Sequence, residues 1–201
     1  MKILAASDLH SDKNASEKLA KKAKKNKVDM VLLGGDIVEW GGNIEGIIGP
    51  FKKENIPVMM IHGNHDSPAE IDFLAQQYGK GVYNLHSYYK EFNDFVIFGI
   101  GGTEFVPFSL SDDEIFQKIK KDLKKFSGKK KILLTHEPPI NTKVDNIGWN
   151  HAGSKRLRDL IINYKPDLVL TGHIHETFGL TDYLGKTKII NLGKKGAIIN
   201  L

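Results

Sequence analysis

The chain of 201 residues, 40% of them hydrophobic and 26% charged, fits one globular domain (1–201) with a sizeable core. It has no cysteine, which excludes a disulfide framework and a thiolate site, so any metal must be held by nitrogen and oxygen donors. The start MKILAASDLH lacks the apolar stretch and cleavage site of a secretory leader, and no apolar run approaches the ~20 residues that span a bilayer; a cytoplasmic protein with no membrane partner is expected. The formal charge of +5 comes from lysine-dense stretches at 18–27 and 118–131. Both interleave lysine with apolar residues at helical spacing, so they read first as solvated helix faces and only second as a nucleic-acid surface.

Short apolar runs at 2–7, 30–36, 58–63, 95–102, 131–136, 168–173 and 187–193 read as strands. Helices are expected near 15–26, 44–54, 68–78, 112–126 and 154–163, the fourth opened by a capping box of Ser111 and Glu114. Alternation of this kind predicts an α/β domain. Asp8, Asp36, Asn64, His136 and His173 each fall at or just after the end of an apolar run, which places them on one rim of one sheet, where ligands bind in open α/β folds.

Asp8-Leu9-His10 and His173-Ile174-His175 share an i, i+2 spacing that in extended backbone points both polar side chains one way, so each pair can chelate an ion. A mixed His/Asp/Asn set suits transition metals better than calcium or magnesium alone. Asp36 follows Gly34 and Gly35, which allow close backbone approach, and its carboxylate can bridge two ions. Two divalent cations against two aspartates leave positive charge for an anionic ester. Of the other histidines, His62 reads as packed within a strand, His86 as a surface or hairpin residue, and His151 as the spare one worth watching.

DLH at 8–10, GD at 35–36, GNHD at 63–66, TH at 135–136 and GHIH at 172–175 together resemble, in kind and order, the five-motif pattern of the calcineurin-like metallophosphoesterases. The resemblance implies a four-layer αββα sandwich, two mixed β-sheets flanked by helices, with a dinuclear site on one edge. It implies one ion at Asp8, His10, Asp36 and His175 and another at Asp36, Asn64, His136 and His173. It further implies that His65 is a non-ligand that stabilises phosphoryl charge or protonates the leaving oxygen, with Asp66 orienting its ring. The cofactors expected are two divalent transition-metal ions, manganese first, with Fe, Zn, Ni or Co as alternatives.

The substrate expected is a small phosphoester. Only Arg156 and Arg158 are available as guanidinium forks for a dianionic terminal phosphate, which favours a phosphodiester over a monoester. A nuclease of the same superfamily and a non-catalytic interaction module are the alternatives; the intact ligand set speaks against the module. Substrate choice is assigned to the loops 101–109 and 138–154. In the first, Phe105 and Phe108 can stack a base or, more simply, anchor the loop; in the second, Asn150 and His151 precede a helix start at Gly153-Ser154 whose N–H groups can face a phosphate.

Overall fold

The computed structural model describes residues 1–104 and 113–201; Phe105, Phe108 and Ser111 lie outside the described residues. The first sheet runs in the order β11 (Ala197–Asn200), β1 (Lys2–Ala6), β2 (Met30–Gly34), β3 (Val58–Ile61), β4 (Val82–Asn84), with only β11 antiparallel. The second runs β5 (Tyr89–Glu91), β6 (Phe95–Ile100), β7 (Lys130–Thr135), β8 (Leu168–Thr171), β10 (Thr187–Asn191), β9 (Thr181–Leu184), with antiparallel edges.

Strand alternation explains the layering. Leu4, Val31, Leu33 and Met60 face outward onto α1 (Lys13–Asn26), α2 (Gly49–Lys53) and α3 (Pro68–Tyr78) through Leu19, Phe51 and Leu74. Ile3, Leu32 and Met59 face inward onto Ile97, Ile132 and Leu170 of the second sheet. Phe98, Leu133 and Val169 face outward again, onto α4 (Asp113–Lys125) and α5 (Lys155–Tyr164). Central strands apolar on both faces read as continuous hydrophobic runs, which is why the sequence marks them so clearly. The result is the expected αββα sandwich of two mixed sheets.

The second helix is shorter than predicted: Gly46 adopts φ +77° within a turn at 45–47, and Pro50 sits in the first turn of α2, where it needs no donor. Four strands went unpredicted, β4, β5, β9 and β11, each three or four residues long and at a sheet edge. His86 is not a hairpin residue, because the strands beside it belong to different sheets and the chain crosses between them there. It is half-buried, accepts the Gly101 N–H at Nδ1 (2.9 Å) and packs 4.4 Å from the ring of His62. Lysines of α4 behave as a solvated face that also covers aromatic edges: Lys118 lies 4.1 Å over Tyr88 and Lys125 5.3 Å over Tyr89. No helix among the described residues is long and apolar enough to cross a membrane.

Candidate dinuclear metal centre

The polar residues predicted at strand ends do converge, but on the rim of two sheets and not one. Asp8, Asp36 and Asn64 follow β1, β2 and β3 of the first sheet, while His136 and His173 follow β7 and β8 of the second. The loops after β1 and β2 are zipped together: Asp8 N donates to Gly35 O (2.9 Å), His10 N to Asp36 O (2.9 Å) and Ser11 N to Ile37 O (3.1 Å). The sheets are tied across the gap by the His173 N–H, which donates to Asp8 Oδ1 at 3.1 Å.

The i, i+2 pairs do not converge through an extended pleat. Asp8 (φ +58°), His10 (+48°), Asp36 (+49°) and His173 (+69°) all lie in the left-handed region, and His175 opens a 3-10 turn. Non-glycine residues tolerate that region at a cost, and here it turns each side chain off its strand towards a common centre. Leu9 and Ile174, between the paired ligands, are buried. The close approach is made at Gly35 and Gly63 and not at Gly34: a Cβ on Gly35 would strike the His136 ring, and one on Gly63 would fall on the Asp36 carboxylate.

Donor atoms gather in three overlapping groups: Asp8, His10 and His175; Asp8, Asp36 and His136; and His10, Glu39 and His65. Asp36 Oδ2 lies 3.4 Å from His136 Nε2 and 3.7 Å from His10 Nε2, and Asp8 Oδ1 lies 3.5 Å from His175 Nε2. These spacings are longer than ordinary hydrogen bonds. They approach the ~3.0–3.4 Å expected between two ligands that each sit ~2.0–2.1 Å from a shared ion. His10 Nε2 is buried with no hydrogen-bond partner among the described residues, which suits a metal-ligand atom. Asn64 Oδ1 reaches His136 Nε2 at 3.0 Å, and the His173 ring packs 5.1 Å from that of His136. The donor set therefore fits divalent ions.

Electrostatics agree. Asp36 is buried, yet the charge and close approach of His136 and the hydrogen bond from the His65 N–H outweigh desolvation and hold its carboxyl far below the usual range. His136 is the counterpart: burial disfavours its charge, but Asp36, Asp8 and the Gly34 carbonyl raise its pKa to about 10. Its Nδ1–H donates to Gly34 O at 2.9 Å, which leaves Nε2 facing the carboxylates. A metal-free site thus keeps a proton where the carboxylates demand positive charge, and an ion bound at Nε2 must displace it. Because that proton is held up to about pH 10, metal uptake near pH 7 is expected to release about one proton from His136 and to tighten as pH rises. Titration calorimetry in two buffers of different ionisation enthalpy measures this directly; identical heats in both would contradict it.

The sequence reading missed Glu39. Its carboxylate spans two rings, Oε2 accepting from His10 Nδ1 (2.7 Å) and Oε1 from His65 Nδ1 (2.6 Å). Desolvation raises its pKa, but these imidazoles outweigh it and hold the carboxyl below the ordinary value. The one available signal was its position three residues after Asp36, one turn beyond the motif. Asp66 accordingly does not orient the His65 ring. It is fully buried and accepts the N–H groups of Ile37 (2.6 Å), Asp36 (3.2 Å) and Gly63, so it clamps the β2 loop to the β3 loop. Burial pushes its pKa up to about 7 against those donors.

The 138–154 loop also differs from expectation. The N-terminus of α5 is already occupied by Glu104, which accepts from Ser154 Oγ and from Arg156 N (3.0 Å), so it is not presented to a phosphate. His151 is held by buried Asp145 through its Nδ1 at 2.8 Å, and Asn150 is exposed. His62, as expected, is packed within its strand end, and burial followed by the charges of His86 and His136 lowers its pKa to about 3.

Comparison with known proteins agrees with this geometry. The chain is 30% identical over 162 residues to a probable glycerophosphodiester phosphodiesterase, GpdQ, of Arcobacter nitrofigilis; the match covers 75% of the chain and 58% of that relative. The chain therefore spans little more than half the length of that curated protein. Among solved structures, the TT1561 protein of Thermus thermophilus superposes with a TM-score of 0.76 at 19% identity, covering 99% of this chain and 98% of its own. A dimetal phosphatase from Danio rerio gives 0.71 at 13% identity over 96% and 87%. The family model for calcineurin-like phosphoesterases matches residues 1–177, and the chain belongs to that family.

Proposed function

We propose that this chain hydrolyses a phosphodiester of a nucleotide or small metabolite, using two divalent transition-metal ions, manganese preferred, held by Asp8, His10, Asp36, Asn64, His136, His173 and His175. The observation that carries the reading is the meeting of Asp36 with His10 and His136 from three separate loops at 3.4–3.7 Å, with the buried His10 Nε2 lacking a hydrogen bond among the described residues. Once bound, two such ions supply charge that neutralises a phosphoryl group and acidity that makes hydroxide available near neutral pH. Asp36 Oδ2 lies within 3.4–3.7 Å of one histidine from each proposed ligand set, so its carboxylate would be the one shared between two ions. His65 is half-exposed beside the site, its backbone N–H on Asp36 Oδ1 (2.8 Å) and its Nδ1 on Glu39. With Nδ1–H held by Glu39, Nε2 donates to a phosphoryl oxygen or to the leaving alkoxide in the imidazolium form, whose charge the Glu39 carboxylate supports. Glu39 sets the tautomer and plane of both His65 and His10. The diester preference is supported by the scarcity of arginine and by the name of the Arcobacter relative. Both arginines are also otherwise engaged, Arg156 with Asp113 and Arg158 with the carbonyls of Ile140 and Asn141.

The test is hydrolysis of a panel of phosphomono- and diesters by metal-stripped protein reconstituted with Mn, Co, Ni, Zn or Fe. Turnover of bis(p-nitrophenyl) phosphate above that of the monoester, lost on chelation, is expected. Monoester preference would reverse the assignment of ester class. In the same panel, Asn150→Ala and His151→Ala are expected to change KM or substrate ranking at constant metal content, since their loop begins at the metal rim directly after His136.

A further inference from the structure

Past His175 the rim continues into a basic recess that the hydrolytic chemistry leaves unused. The Phe178 ring packs 4.7 Å from that of His175 and presses on Gly193, where a Cβ would overlap it. Gly193 in turn donates its N–H to Ser7 Oγ at 2.9 Å, beside Asp8. The next two residues, Lys194 and Lys195, line two adjoining cavities. One, of about 400 Å³, is walled by Phe178, Ile190 and Leu192. The other, of about 330 Å³, is also lined by Asp12 at the N-cap of α1 and by Lys18 and Lys22 along that helix.

Four lysines meet one carboxylate in the second cavity. That carboxylate, Asp12, caps α1 through the Ala15 N–H (2.9 Å) and lies 4.0 Å from Lys194 Nζ. Lys22 donates to the carbonyls of Lys195 (2.9 Å) and Gly196 (2.8 Å), so it fixes the lysine loop while its charge adds to the recess. Like charges gathered in a concave site raise the local potential for an anion. Phe178, which packs on His175, also walls the first cavity together with Lys194 and Lys195, so an apolar surface that can carry an organic spacer adjoins both. The recess is bounded, unlike a track, and the lysines of α4 over Tyr88 and Tyr89 do not extend it.

Resting on the phosphodiesterase reading, we propose that Lys18, Lys194 and Lys195 bind a second phosphate group carried by the substrate's alcohol portion, so that the preferred substrate is a small phosphodiester bearing an additional phosphate. The probes are thymidine 5′-(p-nitrophenyl phosphate) and the same ester with a 3′-phosphate, which differ only in that group. The expected kcat/KM of the manganese-loaded protein is about tenfold higher for the 3′-phosphorylated ester, chiefly through KM. In Lys194→Ala/Lys195→Ala the ratio falls to about one, and Lys18→Ala, on an exposed helix position, lowers it part of the way. A wild-type ratio near one, a ratio unchanged by both variants, or a thymidine oligonucleotide cleaved faster than either small ester would overturn the proposal. If neither ester is turned over, the phosphodiesterase reading fails separately. Calorimetric binding of thymidine 3′,5′-bisphosphate against thymidine 5′-phosphate, in wild type and double variant, then still decides the recess, with equal affinities counting against it.

Discussion

Asp36→Ala is expected to leave the protein unable to retain either ion and to reduce diester hydrolysis by on the order of 10³-fold or more. Asp36 Oδ2 lies between ligands from two loops, with His10 at 3.7 Å and His136 at 3.4 Å. Its removal also strands His136, whose raised pKa depends first among favourable influences on that carboxylate. Since Asp36 Oδ1 also accepts the His65 N–H at 2.8 Å, Asp36→Asn is the sharper variant. It keeps an oxygen for that bond and the shape of the side chain, but not the bridging charge. Metal analysis after manganese reconstitution and gel filtration is the measurement. Two ions per chain retained by Asp36→Asn would refute the bridging role.

His65→Asn is expected to keep both ions and lose about 10²–10⁴-fold in kcat, the range typical of a positioned proton donor. Glu39→Gln tests how that donor is held. Each Glu39 oxygen accepts one ring N–H, from His10 and from His65. Glutamine offers one acceptor and one donor, so one imidazole must change tautomer or swing away. The expected loss in kcat is about tenfold, with weaker retention of the ion at His10. Wild-type turnover in His65→Asn would remove it from the chemistry, and wild-type turnover in Glu39→Gln would make its two short contacts incidental.

The seven central strands and the ligand-bearing turns were legible because the strands are apolar on both faces and the chemistry-bearing residues interrupt them at their ends. The edge strands were not, since Tyr89–Glu91 or Thr181–Leu184 pair on one side only and carry too few apolar residues to stand out. Sequence also placed the ligands on one sheet, because strand order cannot reveal that the chain changes sheets between Asn84 and Tyr89. Asp66 and Glu39 exchanged roles for a related reason. Adjacency to His65 suggested Asp66 as its partner, whereas the β3 loop turns Asp66 inward to backbone amides and the β2 loop delivers Glu39. The helix start at Ser154 was read correctly as an N-terminus, but Glu104, fifty residues earlier, could not be foreseen as its occupant.

The antiparallel pairing of Lys2–Ala6 with Ala197–Asn200 bears on how the protein is made. Synthesis delivers β1 well before β11, so one side of β1 waits, its N–H and C=O groups unpaired, while the residues between them emerge. The ligands are divided in the same way, Asp8 and His10 early, His173 and His175 late. Neither the first sheet nor the full donor set can close until the last strands are available, so final assembly is a late, long-range search of the kind that folds slowly and exposes sheet edges on the way.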